Sequence, residues 1–151
     1  MKIAVGSDER THLTDAVIEE LRRRGHELIL FGPLADDDPD GDWPQTSGKA
    51  ALAVSRGEAD EGLVFCWTGT GASIAANKVA GVRAALCYDA ETARGARVWN
   101  HANVLALSLR LTSEAMAKEI LEVWFNTPYS DDEWNCQQIA RVQQLEKHNT
   151  V

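Results

Sequence analysis

The stretch LVFCWTGTGASIAANK, Leu63–Lys78, decides how the rest of the chain is read. Its apolar start reads as a buried strand; Gly69, Thr70 and Gly71 break that run, and ASIAANK opens a helix. Cys66 therefore falls at the carboxyl end of a strand, facing a loop rich in backbone N–H groups. Loop amides and a helix N-terminus favour a thiolate there, whereas an isolated cysteine closing a strand is more often a small buried hydrophobe. The second reading suffices for Cys87 and Cys136.

The strand-then-helix unit recurs on both sides of this stretch. KIAVGSD is followed by TDAVIEELRRRGH, and ELILFG by ADDDPDGDWP, read as a solvated acidic surface loop, and then QTSGKAALAVSRGEA. EGLVFC leads into ASIAANKVAG, VRAALCY into DAETARGARVWNHA, and NVLALSL into TSEAMAKEILEVWFN. The last segment, DDEWNCQQIARVQQLEKHN, is polar with apolar Ile139, Val142 and Leu145, the pattern of a terminal helix packed on something.

Five apolar strands alternating with helices predict a parallel sheet covered on both faces, an α/β fold. In such sheets ligands sit at the carboxyl ends of the strands, where strand order reverses. In short doubly wound domains that point lies between strands one and three, so GSDERT and CWTGTG are the expected binding loops.

Composition narrows the partners. The chain has 151 residues, 44% of them hydrophobic, which fits one domain over residues 1–151 with one substantial core. The formal charge of -8 and the lack of any Lys/Arg-rich run make nucleic acid and anionic membrane poor partners. MKIAVGSDE has no long apolar leader segment, and no run approaches the roughly 18 apolar residues of a membrane span, so a cytoplasmic protein is expected. Three cysteines without C-x-x-C spacing predict reduced thiols, and His12, His26 and His148 are too scattered for a metal site; none is expected.

Several motifs carry chemistry or a plainer reading. TGTG is either an anion cradle of backbone donors or a tight strand-to-helix turn. It fails G-x-G-x-x-G at Ile74, lacks G-K-[ST], and has Ala72 where a cysteine phosphatase loop needs arginine. Asp8 and Glu9 end the first strand and suit hydrogen bonds to substrate hydroxyls or the handling of a proton, or are routine turn carboxylates. His101, beside Asn100 and Asn103, is an acid–base candidate or a helix-end residue. Arg110 closes NVLALSLR and is the best single anion ligand at that edge, against a plain salt-bridge role.

Taken together, KIAVGSD, Cys66 before TGTGASIAANK, GVRAALC and NHANVLALSLR resemble the type B ribose-5-phosphate isomerase and galactose-6-phosphate isomerase family. The resemblance runs from Met1 to about Trp124 and implies a three-layer α/β/α Rossmann-like domain with a five-stranded parallel sheet. It also implies an aldose–ketose isomerase with no metal or organic cofactor. The expected assembly is a homodimer, or dimers paired as tetramers, with the active site at the subunit interface and the segment from about 130 to 151 packing on the partner subunit.

By the same resemblance, Cys66 is the base that moves a proton between adjacent carbons through an enediolate. Thr68 is placed with it in catalysis and the N–H groups from Thr68 to Gly71 hold the oxyanion; His101 is the further catalytic candidate on the reading of the residues given above. Asp8, Thr68, Asn100 and Arg110 match substrate-contacting positions; Trp67, Gly69, Thr70, Gly71 and Ser73 belong to the same loop and helix start. Ala72 stands where some members carry a glutamate base.

Departures matter as much. Glu9 replaces a histidine that helps bind phosphate or sugar, and Trp99 takes the place of the histidine that opens the sugar ring. His101, two residues on, is the candidate to replace it. The family's C-terminal phosphate arginines fall, with a gap, near Trp134 and Gln138, and Arg141 lies one helical turn beyond. A four-carbon ketose phosphate, which cannot cyclise, explains Trp99; a non-phosphorylated sugar explains Glu9, Trp134 and Gln138. Two rivals from other classes are a non-catalytic sugar-binding homologue and a thiol hydrolase pairing Cys66 with His101.

Overall fold

A computed structural model describes residues 1–148, with side chains as far as Glu146; the side chain of His148 and residues 149–151 lie outside it. The five strands are β1 (Lys2–Ser7), β2 (Glu27–Phe31), β3 (Glu61–Cys66), β4 (Ala84–Leu86) and β5 (Val104–Ser108). The helices are α1 (His12–Arg23), α2 (Trp43–Ser55), α3 (Thr70–Ala76), α4 (Ala90–Asn100), α5 (Glu114–Asn126) and α6 (Glu133–His148). All strand pairs are parallel, in the order β2-β1-β3-β5-β4. The chain thus turns back between β1 and β3, as expected. It also turns back at β5, which slots between β3 and β4 and sets Ser108 opposite Cys66.

Alternation along the strands builds two cores. Ile3, Val5, Leu63, Phe65, Leu105 and Leu107 face α1, α4 and α5, where Leu21, Ile120, Leu121 and Trp124 complete a core of large side chains. Ala4, Val64, Cys66, Val104 and Ala106 face α2 and α3, whose alanines Ala50, Ala51, Ala72 and Ala76 form a tighter layer. Cys66 belongs to this small-residue face, so its side chain is directed toward the start of α3.

The helix starts are locally encoded. Thr11 and Thr14 form a reciprocal capping box on α1, Asp89 caps α4 through the Thr92 N–H, and Ser113 caps α5 through the Met116 N–H. Three expectations change. α3 starts inside TGTG, at Thr70, and stops at Ala76 rather than running to Gly81. β4 is three residues of the expected seven, because as an edge strand it pairs with β5 alone. The acidic loop is not simply solvated: Asp38 accepts bonds from the Gly32 N–H (2.8 Å) and Lys49 Nζ (2.6 Å), and Trp43 already opens α2. Among the described residues, no helix is long and apolar enough to cross a membrane.

Candidate active site

The carboxyl edge of the sheet brings together the ends of β1, β3 and β5, because those three strands are neighbours. Adjacent strands lie about 4.8 Å apart, so the β1 and β5 loops flank Cys66 on either side. Cys66 is buried and free, and its Sγ accepts the Ala72 N–H at 3.4 Å. That amide lies in the first turn of α3, where helical N–H groups have no intrahelical partner.

The turn between them partitions the loop amides. The Gly69 N–H closes a tight turn onto the Cys66 carbonyl at 3.2 Å, and the Ser73 N–H bonds the Gly69 carbonyl at 3.0 Å. Among the described residues, the N–H groups of Thr68, Thr70 and Gly71 are left without an acceptor. The expected run of donors is therefore narrowed: the Gly69 amide shapes the turn, and three others remain for an oxyanion. Gly69 sits at φ +78, and a Cβ there would meet Leu86 Cδ1 at 2.5 Å, so glycine is required. The Thr68 and Thr70 hydroxyls share a hydrogen bond of 2.6 Å.

The flanks are held just as firmly. Ser7, buried at the end of β1, donates its hydroxyl to the Glu9 carbonyl at 2.6 Å, which sets Asp8 toward the edge and leaves Glu9 exposed. Among the described residues Asp8 Oδ1 is buried without a partner, and burial pushes this carboxyl above its ordinary value. On the other side Ser108 Oγ donates to the Trp67 carbonyl at 3.0 Å, and the Arg110 N–H bonds the same carbonyl at 3.0 Å. Arg110 is exposed, and no ion pair engages its guanidinium among the described residues. The Trp67 indole stands 58% exposed beside Cys66.

One wall was absent from the sequence reading. Trp43, 42% exposed, lays its indole against Gly71, with Cε3 3.0 Å from where a Cβ would be. The DWP that opens α2 was the available signal, hidden by the acidic residues around it.

The remaining candidates lie elsewhere in the same chain. His101 caps the C-terminus of α4 and precedes Val104, the first residue of β5, whereas Cys66 pairs with Ser108, its last. Four strand residues alone span on the order of 13 Å, so the structure does not bring His101 to Cys66 within one chain. His101 instead stacks on Tyr129, with ring centroids 4.8 Å apart. Trp99, Asn100 and Gln138 line one groove of about 740 Å³ between α4, α6 and the open edge of β4. Arg141 Nη1 donates to Gln138 Oε1 at 3.1 Å, and Trp134 is exposed at the start of α6. No group of three or more His, Cys, Asp or Glu side chains among the described residues is arranged to hold a metal ion.

Comparison with known proteins follows the same line. The model of the Ribose/Galactose Isomerase family matches residues 3–145. The chain belongs to that family. It is 39% identical to ribose-5-phosphate isomerase B of Escherichia coli over 129 residues, 85% of each chain. It is 33% identical to a D-erythrulose-4-phosphate isomerase of Pectobacterium atrosepticum over 133 residues, again 85% of each. Among solved structures, ribose-5-phosphate isomerase B of Clostridium thermocellum superposes with a TM-score of 0.90 at 36% identity, covering 99% of this chain and all of the other. Membership makes the protein an aldose–ketose isomerase, an intramolecular oxidoreductase on an α/β three-layer fold.

Proposed function

We propose that this chain interconverts a short-chain aldose phosphate and its ketose through an enediolate, with Cys66 as the base, as a cofactor-independent cytoplasmic homodimer. One observation carries the reading: the Cys66 sulfur takes the Ala72 N–H at 3.4 Å beside three amides that have no acceptor among the described residues. The Cys66 thiolate takes the proton from C2 of the open-chain aldose. The C–H electron pair becomes the C1–C2 double bond, and the carbonyl pair moves onto O1, where the Thr68, Thr70 and Gly71 amides receive it. The O2 proton passes to O1, for which the Thr68–Thr70 hydroxyl pair is a relay of either polarity. Cys66 then returns its proton to C1, so the step needs no co-reactant.

Asp8 and Glu9 bind hydroxyls on the β1 side, and Arg110 takes the anion on the β5 side. Trp99, Asn100, Trp134, Gln138 and Arg141 serve the site from a partner copy, with α6 packed on that copy. The reading is supported by the place of Trp99, Asn100 and Gln138 in the groove between α4, α6 and β4 and by the exposure of Trp99 and Trp134. Of the substrates named for its relatives, D-erythrulose 4-phosphate fits Trp99 best. The ketose has no hydroxyl that can close a five-membered ring, and in its aldose the one that could, on C4, carries the phosphate, so no ring-opening acid is needed.

A second reading, a non-phosphorylated sugar, is favoured by the exposed Glu9 next to Asp8, two adjacent carboxylates at the carboxyl edge where Arg110 is exposed. Proton NMR in heavy water, with four- to six-carbon sugars each with and without a terminal phosphate, tests both. Deuterium next to the carbonyl of a phosphorylated member, lost in Cys66→Ala by roughly 100-fold or more, is the expected result. Undiminished exchange in that variant would refute Cys66 as the base.

A further inference from the structure

The amino edge of the sheet holds a buried charged network that Cys66 chemistry does not use. Glu61 opens the buried strand β3, and its side chain is buried with it. Arg97, in the last turn of α4 and 8% exposed, reaches Glu61 Oε1 at 2.9 Å, while Trp124 Nε1 donates to Glu61 Oε2 at 2.5 Å. The guanidinium also donates to the Ala102 carbonyl at 2.8 Å and to the Tyr129 hydroxyl at 3.0 Å. It is stacked over Trp124 at 5.0 Å and Tyr129 at 4.4 Å. One side chain therefore ties together the start of β3, the end of α5 with the segment after it, and the loop between α4 and β5.

That loop is clamped at each residue beyond Asn100. His101 adopts φ 48, its ring lies parallel to Tyr129, and its carbonyl accepts Arg83 Nε at 2.8 Å. The Ala102 carbonyl takes both Arg97 and the Tyr129 hydroxyl, the latter at 3.1 Å. The Asn103 side chain accepts the Arg83 N–H at 2.8 Å and donates to the Gly81 carbonyl at 2.9 Å. Trp99 and Asn100, immediately before this clamp, are exposed.

A buried ion pair is a poor device for stability alone, since well-packed apolar residues often do as well; its best use is to select one conformation. We infer that Arg97 is a positioning residue: through Ala102 and Tyr129 it holds the α4–β5 loop in the one arrangement that presents Asn100 to the reacting sugar. The inference rests on the reading that Asn100 completes a partner's site. It also gives the His101 ring a place in the clamp, stacked on Tyr129 with its Nε2 buried and unpartnered among the described residues.

The test compares three variants with D-erythrulose 4-phosphate and ribose 5-phosphate as probes, following deuterium exchange and kcat against KM. Arg97→Met with Glu61→Met removes the pair without leaving a buried charge. It is expected to keep its fold and thermal stability and to lose roughly 10- to 100-fold in kcat/KM, because small misplacements of a substrate-contacting group cost that much. Asn100→Ala should lose a similar factor, and adding it to the double variant should cost little more. If Asn100→Ala is slow while the folded double variant keeps full kcat/KM, the positioning role is overturned. If Asn100→Ala itself is as active as the parent, it is the shared-site reading that fails. Tyr129→Phe, which removes only one hydroxyl from the clamp, makes the same test should the double variant not fold: a several-fold loss shared with Asn100→Ala supports the role, and unchanged kinetics overturn it.

Discussion

The indole of Trp43 lies against the α-carbon of Gly71, with Cδ2 and Cε3 3.1 and 3.0 Å from where a side chain would begin. The first residue of α2 thereby walls the loop after β3, and the two glycines of TGTG serve different ends. Gly71→Ala should push a half-exposed indole that can yield, so stability should fall by less than about 1 kcal/mol while the tryptophan fluorescence shifts. Gly69→Ala combines φ +78 with contacts at 2.5 Å and 3.0 Å to Leu86 and Leu107, and should cost about 2 kcal/mol or more in urea unfolding. Equal effects of the two substitutions would refute this division.

A site assembled from Cys66 of one copy and Asn100 of the other predicts complementation. Cys66→Ala, nearly inactive, and Asn100→Ala, slowed roughly 10- to 100-fold, should together reach about a quarter of the normal rate when unfolded and refolded as an equimolar mixture, because half the dimers carry one intact site of two. A mixture no more active than its components would place both residues in the same site of one chain.

Glu9 sits where a terminal phosphate would feel its charge, if the phosphate reaches the β1 side. Glu9→His should then raise kcat/KM for a phosphorylated substrate by about fivefold, the effect of ~1 kcal/mol of repulsion at close range in water, and the gain should shrink at high salt. A fall in kcat/KM would favour a hydroxyl-binding role and the non-phosphorylated substrate.

Acid should destabilise the fold through two carboxyls far from the site. Hydrogen bonds and charge from Arg23 and Arg24 hold Glu20 down to about 2, and the Gly32 N–H with Lys49 holds Asp38 at about 2. Both values lie below the ordinary 4.5 and 3.8, so the unfolded chain binds these protons more tightly. Their contribution is therefore complete above about pH 4.5 and is lost as pH falls toward 2. Thermal unfolding between pH 7 and 2 should show Tm dropping in that window, and Glu20→Gln should flatten the drop. An unchanged slope would remove Glu20 from the account.

Much of this protein was legible without tertiary structure, since each element depends on neighbours a few residues away. Apolar runs broken by Gly and Asp mark the strands; Thr11, Asp89 and Ser113 mark helix starts, and Cys66 before TGTG marks a strand end facing free amides. The tertiary structure alone decided what meets across long separations. It set β5 between β3 and β4, laid Trp43 on Gly71, spent the Gly69 amide on a turn, joined Glu61 to Arg97, and carried His101 away from Cys66. The physical reason is that strand order and side-chain contact follow from the summed burial of whole faces, the large-residue face against α1, α4 and α5 and the alanine-rich face against α2 and α3. No short window of sequence contains that sum.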